Sequence, residues 1–300
     1  MKNVNILSLS FGNNRAEYQG WEGVLKMINE YLNGTEDIVI LPETCLGQTE
    51  LNEYGDAFLS GIADIASKNN VYILASVYRK IDHETRVNSA ILYDRDGNVS
   101  FTYDKVYPWI GEFDYPAPQI IPGSHAVYAD TDFGRISATI CFDANFPDLW
   151  QNIADLDVDL VLFSSAYSAG SQLCAHALNH HYAIVTATQK PDFAVYEING
   201  VELTYKREQP EAVLISRTRI DLDKVICHFN YNKEKVQQML ADYSGQIEIE
   251  HEWEREEWLV IRSIDPDISL RDICKKYGIE TLREYKRRAH RLIEDKRTVY

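Results

Sequence analysis

The chain has 300 residues, a length that suits one large α/β domain or two smaller ones. Its net charge of −16 makes the whole protein a poor nucleic-acid binder, because nucleic-acid backbones are polyanions. Its five cysteines are scattered without a CxxC pair, which predicts neither a disulfide framework nor a zinc site. No apolar run reaches membrane-spanning length and the N-terminus lacks a signal-peptide core, so we expect a cytoplasmic protein without membrane contact.

Strands and helices alternate along the first 221 residues, as judged from apolar periodicity. The predicted strands are 4–9, 38–41, 71–78, 88–93, 99–103, 126–128, 136–140, 160–163, 183–187, 193–198, 201–205, 212–215 and 218–221. The predicted helices are 21–32, 59–69, 150–154 and 173–182, with a proline-rich loop at 111–123. Turn residues at 94–98 and Asn199-Gly200 indicate hairpins. This order favours a layered α/β fold with one mixed sheet or two.

The C-terminal part of the chain differs in charge. Residues 269–300 carry ten Lys/Arg and five acids, a net charge of +5. Two predicted helices, 269–277 and 280–293, flank Gly278 in the outline of a DNA-binding helix-turn-helix. We favour a helical hairpin that packs on its own subunit or on a neighbour, since the acidic body would oppose DNA docking. Residues 231–300 are predicted as a mostly helical oligomerisation or interaction extension of a domain spanning 1–230.

A thiol stands at a predicted strand-to-helix junction. The strand ends at Ile140, Cys141 follows directly, and Pro147 fits the first turn of a helix. Such a junction can present a nucleophile, because backbone N–H groups there point at its substrate. Considered alone, however, Cys141 is better explained as an inert, buried packing residue.

Two charged residues follow other predicted strands. Glu43 comes after strand 38–41, and Lys105 comes after the hairpin that ends at 103, so both are expected near a crevice at the sheet ends. A thiol nucleophile needs a proton acceptor and a group that stabilises developing charge. Considered alone, Glu43 is better explained as an acid at the start of a helix, and Lys105 as a solvated loop charge. His176 and His180 lie four residues apart but lack the carboxylate of an HExxH motif, so we favour a partly exposed helical cluster and predict no metal site.

Taken together, three motifs resemble the signatures of the nitrilase superfamily of carbon–nitrogen hydrolases. They are Leu41-Pro42-Glu43, Tyr103-Asp104-Lys105-Val106-Tyr107-Pro108 and Ile140-Cys141-Phe142-Asp143 with Phe146-Pro147. The glutamate, lysine and cysteine occur in the family's order, with separations of 62 and 36 residues. Further similarities lie in the hairpin 88–97, Glu112, Pro122-Gly123 and Asn199-Gly200, so the resemblance covers roughly residues 3–225. Each motif is weak singly, whereas the ordered set is specific.

The resemblance implies an α/β fold, a four-layer αββα sandwich, here with a C-terminal helical tail. It implies that Glu43 accepts the thiol proton of Cys141, while Lys105 and the backbone N–H of Phe142 stabilise the developing negative charge. Glu112 would help to position the hydrolytic water. The implied reaction is hydrolysis of a small amide or N-carbamoyl compound through a thioester, releasing ammonia or an amine. It requires no cofactor and no metal, and the family usually forms homodimers or higher homo-oligomers.

Two departures from the family bear on the substrate. Asn145 stands where many amidase members carry an arginine that in some branches binds a carboxylate, so a carboxylate-bearing substrate is disfavoured. Phe142-Asp143 replaces the Trp-Glu of true nitrilases, which favours amides over nitriles. The candidate pocket residues are Trp109, Phe113, Tyr115, Asn145 and Tyr167. The alternatives are nitrile hydrolysis at the same site, or a binding or regulatory protein whose basic tail contacts nucleic acid or a protein partner.

Overall fold

A computed structural model describes residues 2–12, 18–47 and 53–297. Their first part forms two β-sheets with flanking helices. The elements are β1 (Asn3–Phe11), α1 (Gly20–Tyr31), β2 (Ile38–Ile40), α2 (Glu53–Asn69), β3 (Tyr72–Lys80), β4 (Thr85–Tyr93), β5 (Val99–Asp104), β6 (Gln119–Ile120), β7 (Ala129–Asp130), β8 (Arg135–Ile140), α3 (Pro147–Asp155), β9 (Leu160–Ser165), α4 (Gly170–His180), β10 (Ala183–Thr188), β11 (Asp192–Tyr196), β12 (Glu202–Arg207) and β13 (Val213–Asp221).

Both sheets are mixed. The first has the order β13-β1-β2-β3-β4-β5, with β6 pairing beside β4, and the second has the order β12-β11-β10-β9-β8-β7. In each sheet three neighbouring strands run parallel: β1, β2 and β3 in the first, and β8, β9 and β10 in the second. Central parallel strands are covered on both faces, which explains why β2 is a continuous, fully buried apolar run.

The two sheets pack face to face between two layers of helices. Hydrogen bonds join them directly: Ser8 Oγ donates to the carbonyl of Thr186 at 2.8 Å, and Ser164 Oγ donates to that of Leu41 at 2.7 Å. Helices α1 and α2 pack their apolar faces on the outer side of the first sheet. Helices α3 and α4 cover the second sheet in the same way. The predicted four-layer αββα sandwich is therefore confirmed.

The C-terminal extension contains a sheet that the sequence analysis did not predict. Its elements are β14 (Val225–His228), α5 (Phe229–Asp242), β15 (Ile247–Trp253), β16 (Trp258–Ser263), α6 (Leu270–Tyr277) and α7 (Leu282–Arg297). The strands form an antiparallel sheet in the order β14-β16-β15, which shares a core with α5 and α6. Because β14 begins before residue 230, the sheet crosses the predicted boundary. Helices still predominate in 231–297, and the division into two domains stays a prediction.

The basic tail helix α7 docks on its own subunit. Arg287 binds the Asp157 carboxylate at 2.6 Å and donates to the carbonyl of Ala154, near the end of α3. Arg283 donates to the carbonyl of His181 at the end of α4. Cationic side chains at helix C-termini satisfy free carbonyls and offset the helix dipole. The tail therefore packs on its own subunit, the arrangement that the sequence analysis favoured over a DNA-reading hairpin.

Three local predictions need correction. The strand predicted at 126–128 is absent, because only Ala129 and Asp130 pair with β8 while the carbonyl of Val127 accepts from Ser137 Oγ. The loop 111–123 contains most of a 3-10 helix, Ile110–Asp114, as well as β6. The segments 212–215 and 218–221 merge into β13, which pairs with β1 over its full length. In the described ranges we find no helix with the length and apolarity needed to cross a bilayer.

Candidate active site

The Cys141 thiol is presented by a sharp turn between β8 and α3. A 3-10 helix, Cys141–Asn145, starts directly after the last residue of β8, and Pro147 then opens α3. Cys141 has a φ of 48°, a left-handed conformation that costs a non-glycine residue on the order of 1 kcal/mol. The first N–H groups of a helix have no partner within it, and Phe142 occupies such a position beside the sulfur. The turn thus offers a thiol together with a backbone donor.

A buried carboxylate, Asp143, holds this turn. Its Oδ2 accepts from Tyr103 Oη at 2.6 Å and from the Ile140 N–H at 2.8 Å, and its Oδ1 accepts from the Tyr107 N–H at 2.9 Å. Burial raises the pKa of Asp143 to about 7, against the opposing effect of these hydrogen bonds. Since Tyr103 and Tyr107 bracket Lys105, one side chain ties the lysine segment to the nucleophile turn. The sequence analysis used Asp143 only to distinguish family branches.

Lys105 lies between two carboxylates. Its Nζ is 2.7 Å from Glu43 Oε1 and 2.6 Å from Glu112 Oε1, and its side chain is only 1% exposed. Burial by itself would lower the pKa of Lys105, but the charge of Glu43 and the other nearby groups raises it well above the ordinary lysine value. Lys105 is therefore a fixed positive charge at the floor of the site.

Two further side chains fix the carboxylates, and the sequence analysis identified neither of them. Asn88 Nδ2 donates to Glu43 Oε1 at 2.8 Å and to Glu112 Oε2 at 3.1 Å. Tyr78 Oη donates to Glu112 Oε2 at 3.3 Å. Glu112 also accepts from the Trp109 N–H at 2.9 Å, so four donors surround it. In the sequence, Asn88 was assigned only to a hairpin. The signal that could have identified it is a polar residue within a largely apolar strand.

The thiol of Cys141 is protonated at rest. Burial, followed by the negative charge of Glu43, raises the pKa of Cys141 to about 12, although the charge of Lys105 acts in the opposite direction. The carboxylate of Glu43 and the thiol of Cys141 line the same cavity. The site therefore holds a neutral thiol beside a proton acceptor.

These groups face a cavity of about 680 Å³. It is lined by all the proposed catalytic residues and by most of the proposed pocket residues: Glu43, Lys105, Trp109, Glu112, Cys141, Phe142, Asn145 and Tyr167. Tyr115 also lines it, whereas Phe113 does not and is 44% exposed, so the expectation for Phe113 was wrong. Lys190 and Gln189, which follow β10, were not predicted. Gln189 Nε2 donates to the Glu43 carbonyl at 2.7 Å and so ties the second sheet to the Glu43 loop.

One wall of the cavity is a closed network of three polar side chains. Gln172 Nε2 donates to Asn145 Oδ1 at 2.6 Å, Asn145 Nδ2 lies 3.4 Å from Tyr167 Oη, and Tyr167 Oη donates to Gln172 Oε1 at 3.3 Å. Asn145 Nδ2 also donates to the Phe142 carbonyl at 3.0 Å. The network gives a neutral, hydrogen-bonding wall at the position where many amidase members of the family carry a cation.

The histidine pair has a structural role. The ring of His176 stacks on Trp150 with centroids 4.2 Å apart, and its Nε2 lies 2.9 Å from the carbonyl of Ala144. His176 is buried, so the expectation of a partly exposed cluster was wrong for it, while His180 is half-buried. Neither ring lines the cavity. Throughout residues 2–12, 18–47 and 53–297, we find no group of His, Cys, Asp and Glu arranged to hold a metal.

Known sequences resemble this chain over much of its length. A sequence model of the carbon–nitrogen hydrolase family matches residues 11–202. Deaminated glutathione amidase of Yersinia enterocolitica is 24% identical over 217 residues, which cover 63% of this chain and 74% of that protein. Deaminated glutathione amidase of Dictyostelium discoideum is 24% identical over 148 residues, covering 43% of this chain and half of that protein.

Solved structures share the fold at lower identity. A carbon–nitrogen hydrolase of Helicobacter pylori superposes with a TM-score of 0.64 at 17% identity, covering 80% of this chain and 94% of that one. An amidase of a Nesterenkonia species, with acrylamide added at its active-site cysteine, superposes with a TM-score of 0.60 at 18% identity, covering 71% and 92%. Because the family model spans more than half of its residues, the chain belongs to the carbon–nitrogen hydrolase family, within the nitrilase superfamily.

Proposed function

We propose that this enzyme hydrolyses a small amide or N-carbamoyl compound, with Cys141 as the nucleophile. The observation that carries the proposal is a single cavity that brings together the Cys141 thiol, the Glu43 carboxylate and the Lys105 ammonium, which lies 2.7 Å from Glu43. Burial favours the neutral form of the thiol by raising the pKa of Cys141. A neutral thiol with an adjacent base is the arrangement required for attack coupled to proton transfer. The amidase names of the similar proteins support the same bond type.

In the first half of the reaction, the Cys141 sulfur attacks the amide carbon as its proton passes to Glu43. The carbonyl oxygen gains a negative charge, which the Lys105 ammonium and the Phe142 N–H stabilise. Collapse of this intermediate breaks the C–N bond, and Glu43 returns the proton to the departing nitrogen. Ammonia or an amine leaves, and the acyl group remains on sulfur as a thioester.

In the second half, a water molecule attacks the thioester carbon and gives its proton to Glu43. Breaking the C–S bond releases the acid, and the proton returns to Cys141. Glu43 suits this role because it lines the same cavity as Cys141 and is held there by Lys105 and Asn88. Glu112 accepts from Lys105, Tyr78, Asn88 and the Trp109 N–H, so we assign it chiefly to holding Lys105.

The cavity suits a substrate of modest size. Trp109 is 52% exposed and forms part of the mouth, while the side chains of Asn145 and Tyr167 form the polar wall. Asn145 disfavours a substrate carboxylate, yet Lys190 on the same lining supplies a cation that the sequence analysis did not consider. Amides with and without a distal carboxylate are therefore the informative pair.

A cytoplasmic location and a homodimer or larger assembly stay predictions, the latter testable by analytical ultracentrifugation.

Intact-mass measurement of the acyl-enzyme tests the proposal. The protein is incubated with amides, N-carbamoyl compounds and nitriles, quenched in acid and weighed. The expected result is a mass increase equal to the acyl or carbamoyl group, absent in a Cys141→Ala variant and retained in Cys174→Ala, which removes a half-buried thiol outside the cavity. Turnover of an amide by Cys141→Ala would refute the proposal, and adducts formed only from nitriles would favour nitrile hydrolysis instead.

A further inference from the structure

A second cavity lies where α7 packs against the ends of α3 and α4, and it is separate from the active-site cavity. It has a volume of about 550 Å³. One face of α7 lines it with basic side chains spaced i, i+3, i+4, i+7 and i+8, which places them in a single stripe: Arg283, Lys286, Arg287, His290 and Arg291. No residue lines both this cavity and the active-site cavity.

The stripe holds positive charges that the protein itself leaves without an ion pair. Elsewhere in the tail, Arg271 binds Asp159 at 2.7 Å and Arg288 binds Glu280 at 2.7 Å. In the part of the chain that the structure describes, Arg283, Lys286 and Arg291 form no such pair, although most tail arginines do. Among the described residues of α7, four cations form no ion pair; Arg283, Lys286 and Arg291 line this cavity, and Lys296 lies outside it.

Two of these cations are held against the end of α4 by hydrogen bonds; Arg283 is half-buried, and Lys286 is exposed. Lys286 Nζ donates to the Asn179 carbonyl at 2.9 Å and lies 3.0 Å from His181 Nε2, and partial desolvation lowers its pKa. Burial also lowers the pKa of Arg283, which donates to the His181 carbonyl. Removing an ion from water is costly unless a counter-charge is present. The end of α4 supplies about half a negative charge, which offsets only part of this.

We propose that this cavity binds a small phosphorylated molecule, whose phosphate group lies among Arg283, Lys286 and Arg291. Arg287 is neutralised by Asp157, and Asp155 is the acid on the lining, so about two positive charges remain before the helix ends are considered. A phosphate monoester carries about −1.5 to −2 charges at pH 7 and three strong acceptor oxygens, so it can accept hydrogen bonds from several of these cations at once. The guanidinium groups of arginine also match the geometry of phosphate oxygens.

Thermal denaturation of the full-length protein with inorganic phosphate, compared with sodium chloride at equal ionic strength, tests this site without any measurement of activity. Phosphate should raise the melting temperature of the wild type, since a ligand that binds only the folded state stabilises it. Arg291→Gln removes an exposed cation of the stripe and should weaken the apparent phosphate affinity about tenfold. Lys296→Gln, a change on the same helix outside the cavity, should leave the affinity unchanged.

Adenosine monophosphate provides the second arm. Tighter binding of the nucleotide would identify an organic phosphate as the ligand, and equal affinities would show that the phosphate group alone is recognised; both results support the site. A wild-type response no larger than that to chloride would overturn the proposal. Equal phosphate affinities in wild type, Arg291→Gln and Lys286→Gln would overturn it as well, because the cations of the stripe would then not be the binding groups.

Discussion

Asn88 allows a direct test of how the two carboxylates are held. Its Nδ2 bridges Glu43 and Glu112, and its backbone carbonyl accepts from the Lys105 N–H at 2.8 Å. Asn88→Ala removes both side-chain hydrogen bonds but leaves the backbone contact intact. Each hydrogen bond to a charged group contributes about 1.5–3 kcal/mol, and water entering the vacated space recovers part of that. We therefore expect a loss of about 2–3 kcal/mol in transition-state stabilisation, or roughly 30- to 150-fold in kcat/KM.

The assay is the initial rate of amine or ammonia release from the amide that acylates Cys141. Ser89→Ala is the matched control, because the neighbouring side chain points to the other face of β4 and contacts Asp104 and Arg79 instead. It should change kcat/KM by less than a factor of three. Both variants are checked by thermal denaturation, so that a loss of rate is not mistaken for a loss of folded protein.

A second substitution separates hydrogen bonding from packing. Asn88→Leu keeps nearly the same volume, offers no donor and leaves no room for water, so it should be at least as inactive as Asn88→Ala. If Asn88 merely filled space, Asn88→Leu would be the more active of the two. That order, or an Asn88→Ala enzyme within twofold of wild type, would refute the bridging role.

Three other substitutions or titrations address the charges of the site. Lys105→Met leaves two buried carboxylates without their cation, so we expect turnover to vanish and unfolding free energy to fall by about 3–5 kcal/mol in thermal denaturation, with Lys105→Arg more stable than Lys105→Met. Thiolate absorbance near 240 nm, taken as wild type minus Cys141→Ala, should be absent at pH 8, because the pKa of Cys141 is raised to about 12. The folded pKa of Asp143, about 7, lies above its ordinary value of 3.8, so folding takes up a proton between these pH values. The stabilisation that this uptake provides is complete below about pH 4 and is lost as the pH rises through 7. In urea unfolding, the unfolding free energy of wild type minus that of Asp143→Asn should therefore fall by on the order of 4 kcal/mol as the pH rises over that range.

The sequence predicts the layers of this fold well because their signals are local. Period-two runs and short apolar runs mark the strands of both sheets, and the ordered spacing of Glu43, Lys105 and Cys141 indicates which strand ends meet. Asn88 and Tyr78 could not be assigned in this way. Their roles depend on which side chains the β3–β4 pairing brings opposite Glu112, and that is a property of tertiary register rather than of local pattern.

The sheet of the extension was missed for a different reason. In β15 the residues Ile247, Ile249 and Trp253 alternate with glutamates, which is a strand signal of period two. A segment in which every second residue is a glutamate is also typical of a solvated acidic stretch, and glutamate is depleted in strands, so the alternation alone does not decide between the two. The glutamates are accommodated because Glu248 pairs with Arg262 at 2.5 Å on the neighbouring strand, and Glu250 pairs with Lys224 at 2.8 Å. Acidic composition therefore does not exclude a strand where cations lie across from it.

Burial and the charge balance of the active site together favour the neutral form of the Cys141 thiol. Lys105 alone would favour a thiolate, as a cation beside a cysteine commonly does. Here Glu43 and Glu112 both bind that lysine, so the buried cluster carries one net negative charge next to Cys141. Proton transfer to Glu43 removes that excess at the moment when the substrate oxygen acquires negative charge near Lys105. Attack is thus favoured for substrates whose oxygen acquires its negative charge next to Lys105. The resting thiol is less reactive toward oxidants, because oxidants act on thiolates.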